Sequence, residues 1–416
     1  MMKVIIKGPI LSRSGYGEHA RLVFRALSSR PDKFDVYVAP IEWGMSNWPV
    51  DVTDRETDRI FQCMNKMAHT DGKFDLSLQV TVPTEWENIA KYNIGVTAGI
   101  ETDKASPEWV AATRNVDRII VVSNHAKVTL AGSKYSQQLP TGETQWLACD
   151  KEIDVIPYPV KQFAEREVDL PLDTDFNFLT VGQISPRKNV GDLVKWFVKE
   201  FKDEEVGLVV KLHTNNNSYI DYTQTLRKVK SWSNVKGKKC KVYLVHGNMS
   251  DEEMHALYTH PKIKAFVSTT HGEGYGLPLF EAAYTGLPVI APAWSGHVDF
   301  LYAPVENEKS KKVKNTPLFT KIKYSIKEID PVAVWQGVLN PDTKWCFPER
   351  ESYAKCLRNV MEAYASKKKD AEKLKEYLVE NFSKEKVYKQ YADIALSFET
   401  EVDKEIDDLF SQLSIE

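Results

Sequence analysis

The chain has little with which to build a covalent or metal-stapled framework. Its five cysteines, Cys63, Cys149, Cys240, Cys346 and Cys356, are scattered through 416 residues without C-x-x-C spacing. An odd, dispersed set argues against a disulfide scaffold or a zinc site and fits a reducing cytosol. Long apolar runs are also missing, and none approaches the roughly 20 residues of a membrane span. The opening stretch, Met1 to Gly8, enters a strand pattern at once and has no signal-peptide h-region. Charge of one sign is not in excess: the formal net charge is −3, so no global field draws the molecule to nucleic acid or anionic lipid. Such binding would need a local patch. Internal repeats and low-complexity tracts are absent. The loop after the first strand carries Gly15 and Gly17 but no third glycine at the offset of G-x-G-x-x-G. That disfavours a dinucleotide-binding dehydrogenase.

What is present is alternation. Short β-branched runs (Lys3–Lys7, Phe34–Val38, Ile94–Thr97, Arg118–Val122) alternate with amphipathic stretches, the pattern of parallel sheets with helices on both faces. The length suits two domains of about 200 residues each. A boundary is expected after Ile156-Pro157-Tyr158-Pro159-Val160, where a charged, weakly patterned stretch runs from Lys161 to Asp175. A second series follows, with strands expected at Phe176–Gly182, Val206–Leu212, Lys241–Val245 and Lys264–Val267. The expected fold class is therefore α/β. Two Rossmann-like, doubly wound domains, 1–165 and 170–394, face a central cleft at the carboxyl ends of both sheets, where such folds bind ligands. Residues 302–347 break the rhythm and read as an insertion rich in lysine, with Lys309, Lys311, Lys312, Lys314, Lys321, Lys323 and Lys327.

The most specific run is HGEGYGLPLFEAAYTGLPVIA, residues 271–291. Glu273 and Glu281 flank a turn of Gly274, Tyr275, Gly276, Leu277 and Pro278. A strand precedes the turn, and a helix through Glu281 follows it and stops at Gly286-Leu287-Pro288. The layout leaves free backbone N–H groups at the helix start, beside Glu273. A lone glutamate pair would more often be an exposed helix feature, but the whole run carries more information. It resembles the E-x7-E signature of the retaining glycosyltransferases of group 1 (family GT4), which have the GT-B fold. The resemblance implies that Glu273 holds donor-sugar hydroxyls, that the amides of Gly274, Tyr275, Gly276 and Leu277 hold sugar and phosphate oxygens, and that Glu281 holds the ribose.

The resemblance extends to other segments. Val181 to Asn189 is similar to a family segment whose Arg and Lys neutralise the donor diphosphate. Lys188 matches the family lysine. The arginine position, however, falls on neutral Gln183, next to Gly182, so Arg187 is the candidate for the missing charge. The stretch from Leu244 to Glu253 looks like the family's base-binding turn. This implicates Asn248 and Met249 and predicts a capping box of Ser250 with Glu253; it does not distinguish uracil from guanine. For His213 two readings stand, a side chain facing the cleft or one that only packs. Trp294 to Asp299 should line the rim, with Trp294 a sugar contact or packing. Gly15 and Gly17 match in kind the loop that approaches donor phosphate and acceptor.

Many family members have a histidine above the sugar. The matching stretch here, Val96 to Asp103, has none, so Glu101 is the candidate and Asp103 a weaker one. Ser123 reads as a helix cap. The family is described by front-face attack without a protein nucleophile. No D-x-D motif is placed to bind a phosphate-bridging cation, so a nucleotide diphosphate sugar (UDP-sugar favoured) is expected as co-substrate with no obligatory metal or other cofactor. In the GT-B fold the last helix crosses back to the first domain, and Ala395–Leu413 is the candidate, with the first domain completed by 395–416. SGYGEHAR with Trp43 to Trp48 looks like group 1 transferases of tailed-phage and environmental viral sequences. That implies as acceptor a hydroxymethylated base in phage DNA or a surface or lipid-linked glycan, in a host cytoplasm. The lysines of 309–327 could then grip DNA, against the plainer reading of a solvated loop. Two other classes stay open, a nucleotide-sugar epimerase and a nucleic-acid-binding module with an inactive sugar site.

Overall fold

The computed structural model describes residues 1–44, 46, 53–138, 142–306 and 310–397. Six parallel strands build the first sheet: β1 (Met2–Gly8), β2 (Phe34–Pro40), β3 (Leu76–Val80), β4 (Tyr92–Thr97), β5 (Arg118–Val121) and β6 (Glu152–Val155). Their spatial order is β2-β1-β3-β4-β5-β6. Every residue of β3 is buried, as a parallel strand covered on both faces requires. The helix Gly15–Ser28 starts at Ser14, whose hydroxyl accepts from Gly17 N, and packs Leu22, Val23, Phe24, Ala26 and Leu27 inward.

The second sheet comprises β7 (Asn177–Gln183), β8 (Gly207–His213), β9 (Lys241–Val245), β10 (Ile263–Val267), β11 (Val289–Pro292) and β12 (Thr320–Ile322), in the order β9-β8-β7-β10-β11-β12. All its pairings are parallel. The order reverses between β7 and β10, the point where open α/β sheets receive ligands beyond the strand ends.

The structure revises the insertion. The segment around 302–347 contains β12, the sixth strand of the second sheet, so it is partly integral to the domain. Two antiparallel hairpins flank that strand: Tyr302–Glu306 with Val313–Pro317, and Tyr324–Glu328 with Lys344–Pro348. The second hairpin reaches across to the first domain. Lys344 N donates to Asp103 Oδ1 at 2.6 Å, Ser106 Oγ donates to Gly337 O at 2.8 Å, and Lys104 pairs with Asp342.

Helices Arg350–Glu362 and Tyr364–Asn381 follow. The chain is then helical through 384–397. Here it returns to the first domain: Val387, Tyr391, Ala392 and Ala395 are buried in the cluster that holds Val4, Ile6 and Phe24. The Tyr391 hydroxyl and His19 Nε2 lie 2.8 Å apart, and Arg118 donates to Ser397 Oγ at 3.2 Å. This docking precedes most of the segment expected to make it. Of Ala395–Leu413, residues 398–413 lie outside the described residues, as do Lys309, Met45, Asn47 and Trp48.

Candidate functional site

Four charged side chains meet where the carboxyl ends of the two sheets face each other. Glu273, on the loop after β10, accepts from Lys188 Nζ at 2.6 Å and from Arg187 Nη1 at 2.9 Å. Arg187 and Lys188 lie in the turn between β7 and the helix Val190–Glu200. From the first domain, Glu101 meets Arg187 Nε at 2.8 Å. Arg187 is thus held by a carboxylate of each domain, and Nη1 also donates to Gly272 O. Burial pushes the Glu273 carboxyl upward, but Lys188 and Arg187 outweigh it and hold the pKa down at about 2. Glu101 has the opposite balance. Its burial outweighs Arg187, Glu273 adds repulsion, and its pKa rises to about 7. Burial lowers the Lys188 amine against the opposing pull of Glu273.

The loop that carries Glu273 is set by close backbone approach. A Cβ on Gly274 would lie 1.7 Å from Ala98 O in the first domain. Only glycine lets the two loops touch there. Gly276 caps the helix Leu277–Tyr284 at φ 95°, a left-handed conformation. Glu273 N donates to Ser295 Oγ at 2.9 Å, and Ser123 Oγ donates to Gly274 O at 2.7 Å. Among the described residues, the N–H groups of Gly274, Tyr275 and Gly276 donate to no protein acceptor. They are donors available to an anion or a hydroxyl beside the helix start.

The other predicted residues are placed as follows. Glu281 stands on the same helix; Tyr258 donates to it at 2.9 Å, and burial, opposed by Lys161, raises its pKa to about 7. Gly182 lies against the aliphatic chain of Lys188. Gln183 is not gathered into the charged cluster: it is exposed and donates to Thr214 O at 2.9 Å. His213 ends β8, where burial lowers its pKa. Asn248 is exposed beside Asn217, and Met249 packs on the core. The Tyr275 ring is buried against Tyr158, Phe280 and Phe300, so only its backbone faces the loop. Leu277 opens the helix that contains Glu281. Gly15 and Gly17 form the first turn of the helix Gly15–Ser28. Asp103 lies apart, on the strap from Lys344. Ser123 caps its helix, Ser250 and Glu253 make the capping box, and the Trp294 ring meets the His125 ring at 5.2 Å.

Sequence reading missed two contributors, Lys161 and Tyr258, and placed Ser295 only on the rim. Lys161 bridges Glu18 of the first domain, at 2.7 Å, to Asp251 of the second, at 2.8 Å. Ser295, at φ 78°, supports Glu273, and Tyr258 supports Glu281. Each acts through a partner distant in sequence, and nothing local in the chain marks it. A small crevice lined by Thr180, Lys188, Ser268, Glu273 and Leu279 opens at the cluster. A wider depression of about 600 Å3, along Glu200 and Arg350–Glu362, carries none of these residues.

Residues 161–303, the second domain up to the hairpin after β11, match the family model "Glycosyl transferases group 1". No curated protein matches the chain in sequence. In fold the whole chain is similar to sucrose-phosphate synthase from Thermosynechococcus elongatus (TM-score 0.62, 16% identity, 96% of this chain and 100% of that one). It is similar also to Anabaena Alr3699/HepE in complex with UDP-glucose (TM-score 0.55, 14% identity, 95% and 100% covered). A third similar structure is the lipopolysaccharide outer core galactosyltransferase WaaB (TM-score 0.55, 13% identity, 95% and 99% covered). The fold is GT-B, and the family match lies on the half that holds Glu273, Lys188 and Glu281.

Proposed function

We propose that this protein is a retaining glycosyltransferase that moves a sugar from a nucleotide diphosphate sugar, UDP-sugar favoured, to an acceptor hydroxyl. The observation that carries the reading is the buried Glu273 carboxylate held between Lys188 and Arg187, beside loop N–H groups that have no acceptor among the described residues. An ionised carboxylate can only accept, and so suits sugar hydroxyls. The two cations and the loop amides suit a diphosphate that gains charge as its bond to the sugar breaks. The role of neutralising the leaving group falls to Arg187 and Lys188. Glu101, above Arg187, takes the place beside the reacting sugar, and Glu281 takes the ribose. The leaving diphosphate oxygen receives the acceptor's proton, so no protein nucleophile is required.

On the acceptor side, a hydroxymethylated base in phage DNA is the first candidate and a glycan the second. Lys311, Lys312, Lys314, Lys321, Lys323 and Lys327 are all exposed. A DNA backbone would need such cations and a neutral glycan would not, although Lys311 is already paired with Glu306. Acceptor turnover that falls steeply with salt supports DNA; turnover indifferent to salt supports the glycan.

The donor reading is tested by thermal shift with nucleoside diphosphates and by release of the diphosphate from its sugar. A ligand at 100 times its Kd stabilises by about 2.7 kcal/mol. A shift that disappears in Glu281→Ala supports the reading. No shift with any nucleotide, and no release, would remove it.

A further inference from the structure

The charges of the cluster at the cleft cancel. Arg187 and Lys188 bring two cations, and Glu273 and Glu101 bring two carboxylates. Each phosphate of a nucleotide diphosphate carries negative charge of its own, so a diphosphate set beside this neutral cluster meets no net attraction. One carboxylate has to give way. Glu273 is held by both cations, and its backbone N–H donates to Ser295. Glu101 has a single side-chain partner among the described residues, Arg187 Nε at 2.8 Å. It also approaches from the other domain, on the loop after β4, whereas both cations sit in the turn after β7.

The surroundings of Glu101 already favour its neutral form. Burial lifts its carboxyl to about 7 against the pull of Arg187 and Lys188, and Glu273 adds repulsion. The other titratable groups nearby supply no further cation at neutral pH. Burial keeps the Tyr16 hydroxyl protonated and His297 uncharged, and Asp103, on the same loop, is engaged by Lys344 N. An anion bound at Arg187 would take away the one partner of Glu101 and place more negative charge beside it, and both changes drive the carboxylate to its acid form. Given the donor reading above, on which this step rests, we propose that Glu101 is an internal stand-in for the donor diphosphate: it occupies Arg187 until the donor arrives, then yields the guanidinium and takes up a proton. The released guanidinium can hold phosphate oxygens with two parallel N–H bonds. The neutral carboxyl gains an O–H that can donate, which the carboxylate lacks. Donor binding is thereby coupled to proton uptake from solvent, and a direct contact between the domains is exchanged for contacts of each with the donor.

The test is calorimetric titration of the wild type and Glu101→Gln with UDP, GDP, ADP and CDP between pH 6 and 9, in pairs of buffers that differ in ionisation enthalpy. In the wild type the affinity for whichever nucleotide binds should fall by about tenfold per pH unit above the Glu101 midpoint. The paired buffers should report net proton uptake at pH 8, where the nucleotide's own phosphate, with a second ionisation at about 6, no longer titrates. Glu101→Gln keeps the shape and loses the charge. It should match the wild type at pH 6, bind about tenfold tighter at pH 8, where only about a tenth of wild-type Glu101 is protonated, and take up no proton. Lys188 is unchanged in the variant, so any slope of its making persists there. Binding without proton uptake in the wild type, or the same pH dependence in Glu101→Gln, overturns this inference and leaves the donor reading standing. No binding of any of the nucleotides at any pH overturns both. Should Glu101→Gln not fold, Glu101→Ala takes its place in the same comparison.

Discussion

At the residue scale, the site turns on one buried carboxylate with two cations. Losing one charge-assisted contact to the leaving group costs about 2–4 kcal/mol of transition-state stabilisation. Lys188→Ala should therefore slow sugar transfer about 30- to 1000-fold. The ion pair to buried Glu273 means that stability falls as well. Arg187 limits the loss. The double variant Lys188→Met with Glu273→Gln should regain stability in a urea titration without regaining turnover. Turnover unchanged in Lys188→Ala would take the residue out of the mechanism. Glu281 gives a pH signature. Its carboxyl is raised from 4.5 to about 7 in the fold, so between those values the folded state binds more protons than the unfolded one. Stability must then fall as pH rises through that window. Glu101 adds a slope of the same sign. Glu281→Gln should remove its share and be more stable than wild type at pH 8; equal melting curves at pH 5 and 8 for both proteins would refute this. The placement of Glu273 and Lys188 on loops at the strand ends, and of Glu281 on the helix that follows, could be read from sequence because their spacing and flanking glycines are local. Lys161, Tyr258 and the bond from Glu273 N to Ser295 could not, since each is defined by a partner in another element.

At the element scale, the loop between β10 and the helix Leu277–Tyr284 joins the domains through backbone contact. Gly274→Ala places a methyl 1.7 Å from the Ala98 carbonyl, and no rotamer change can relieve a clash with backbone. Overpacking of this kind costs about 1–3 kcal/mol. The variant should lose both denaturation midpoint and donor affinity, and a crystal structure should show the loops forced apart. A wild-type midpoint would mean that the two loops are not in contact in solution. The eight strands given ranges from sequence were legible to within a residue or two, because burial in a parallel sheet leaves nearly unbroken apolar runs; β3 and β6 were not singled out. β12 was not: only Ile322 of its three residues is fully buried, between exposed Lys321 and Lys323, so its run has no apolar pattern to detect.

At the scale of the whole molecule, the two domains are tied by contacts of unequal worth. The Lys104–Asp342 pair is largely exposed and should contribute no more than about 1 kcal/mol. The contact of Tyr391 with His19 is fully buried, and among the described residues His19 Nδ1 has no partner. Tyr391→Phe strips the ring of its last one, at a cost of about 1–3 kcal/mol; a urea midpoint identical to wild type would rule that out. Two facing domains could be read from the repeated strand–helix rhythm, whereas the residues that close the circuit could not, because helix 384–397 is amphipathic like several others. That helix has a consequence for how the protein is made. The first domain's cluster is walled partly by Tyr391 and Ala395, which leave the ribosome more than 200 residues after β6. At about 5–20 residues per second, the nascent first domain waits on the order of tens of seconds with an apolar groove uncovered. A chaperone acting during synthesis would find its binding site there.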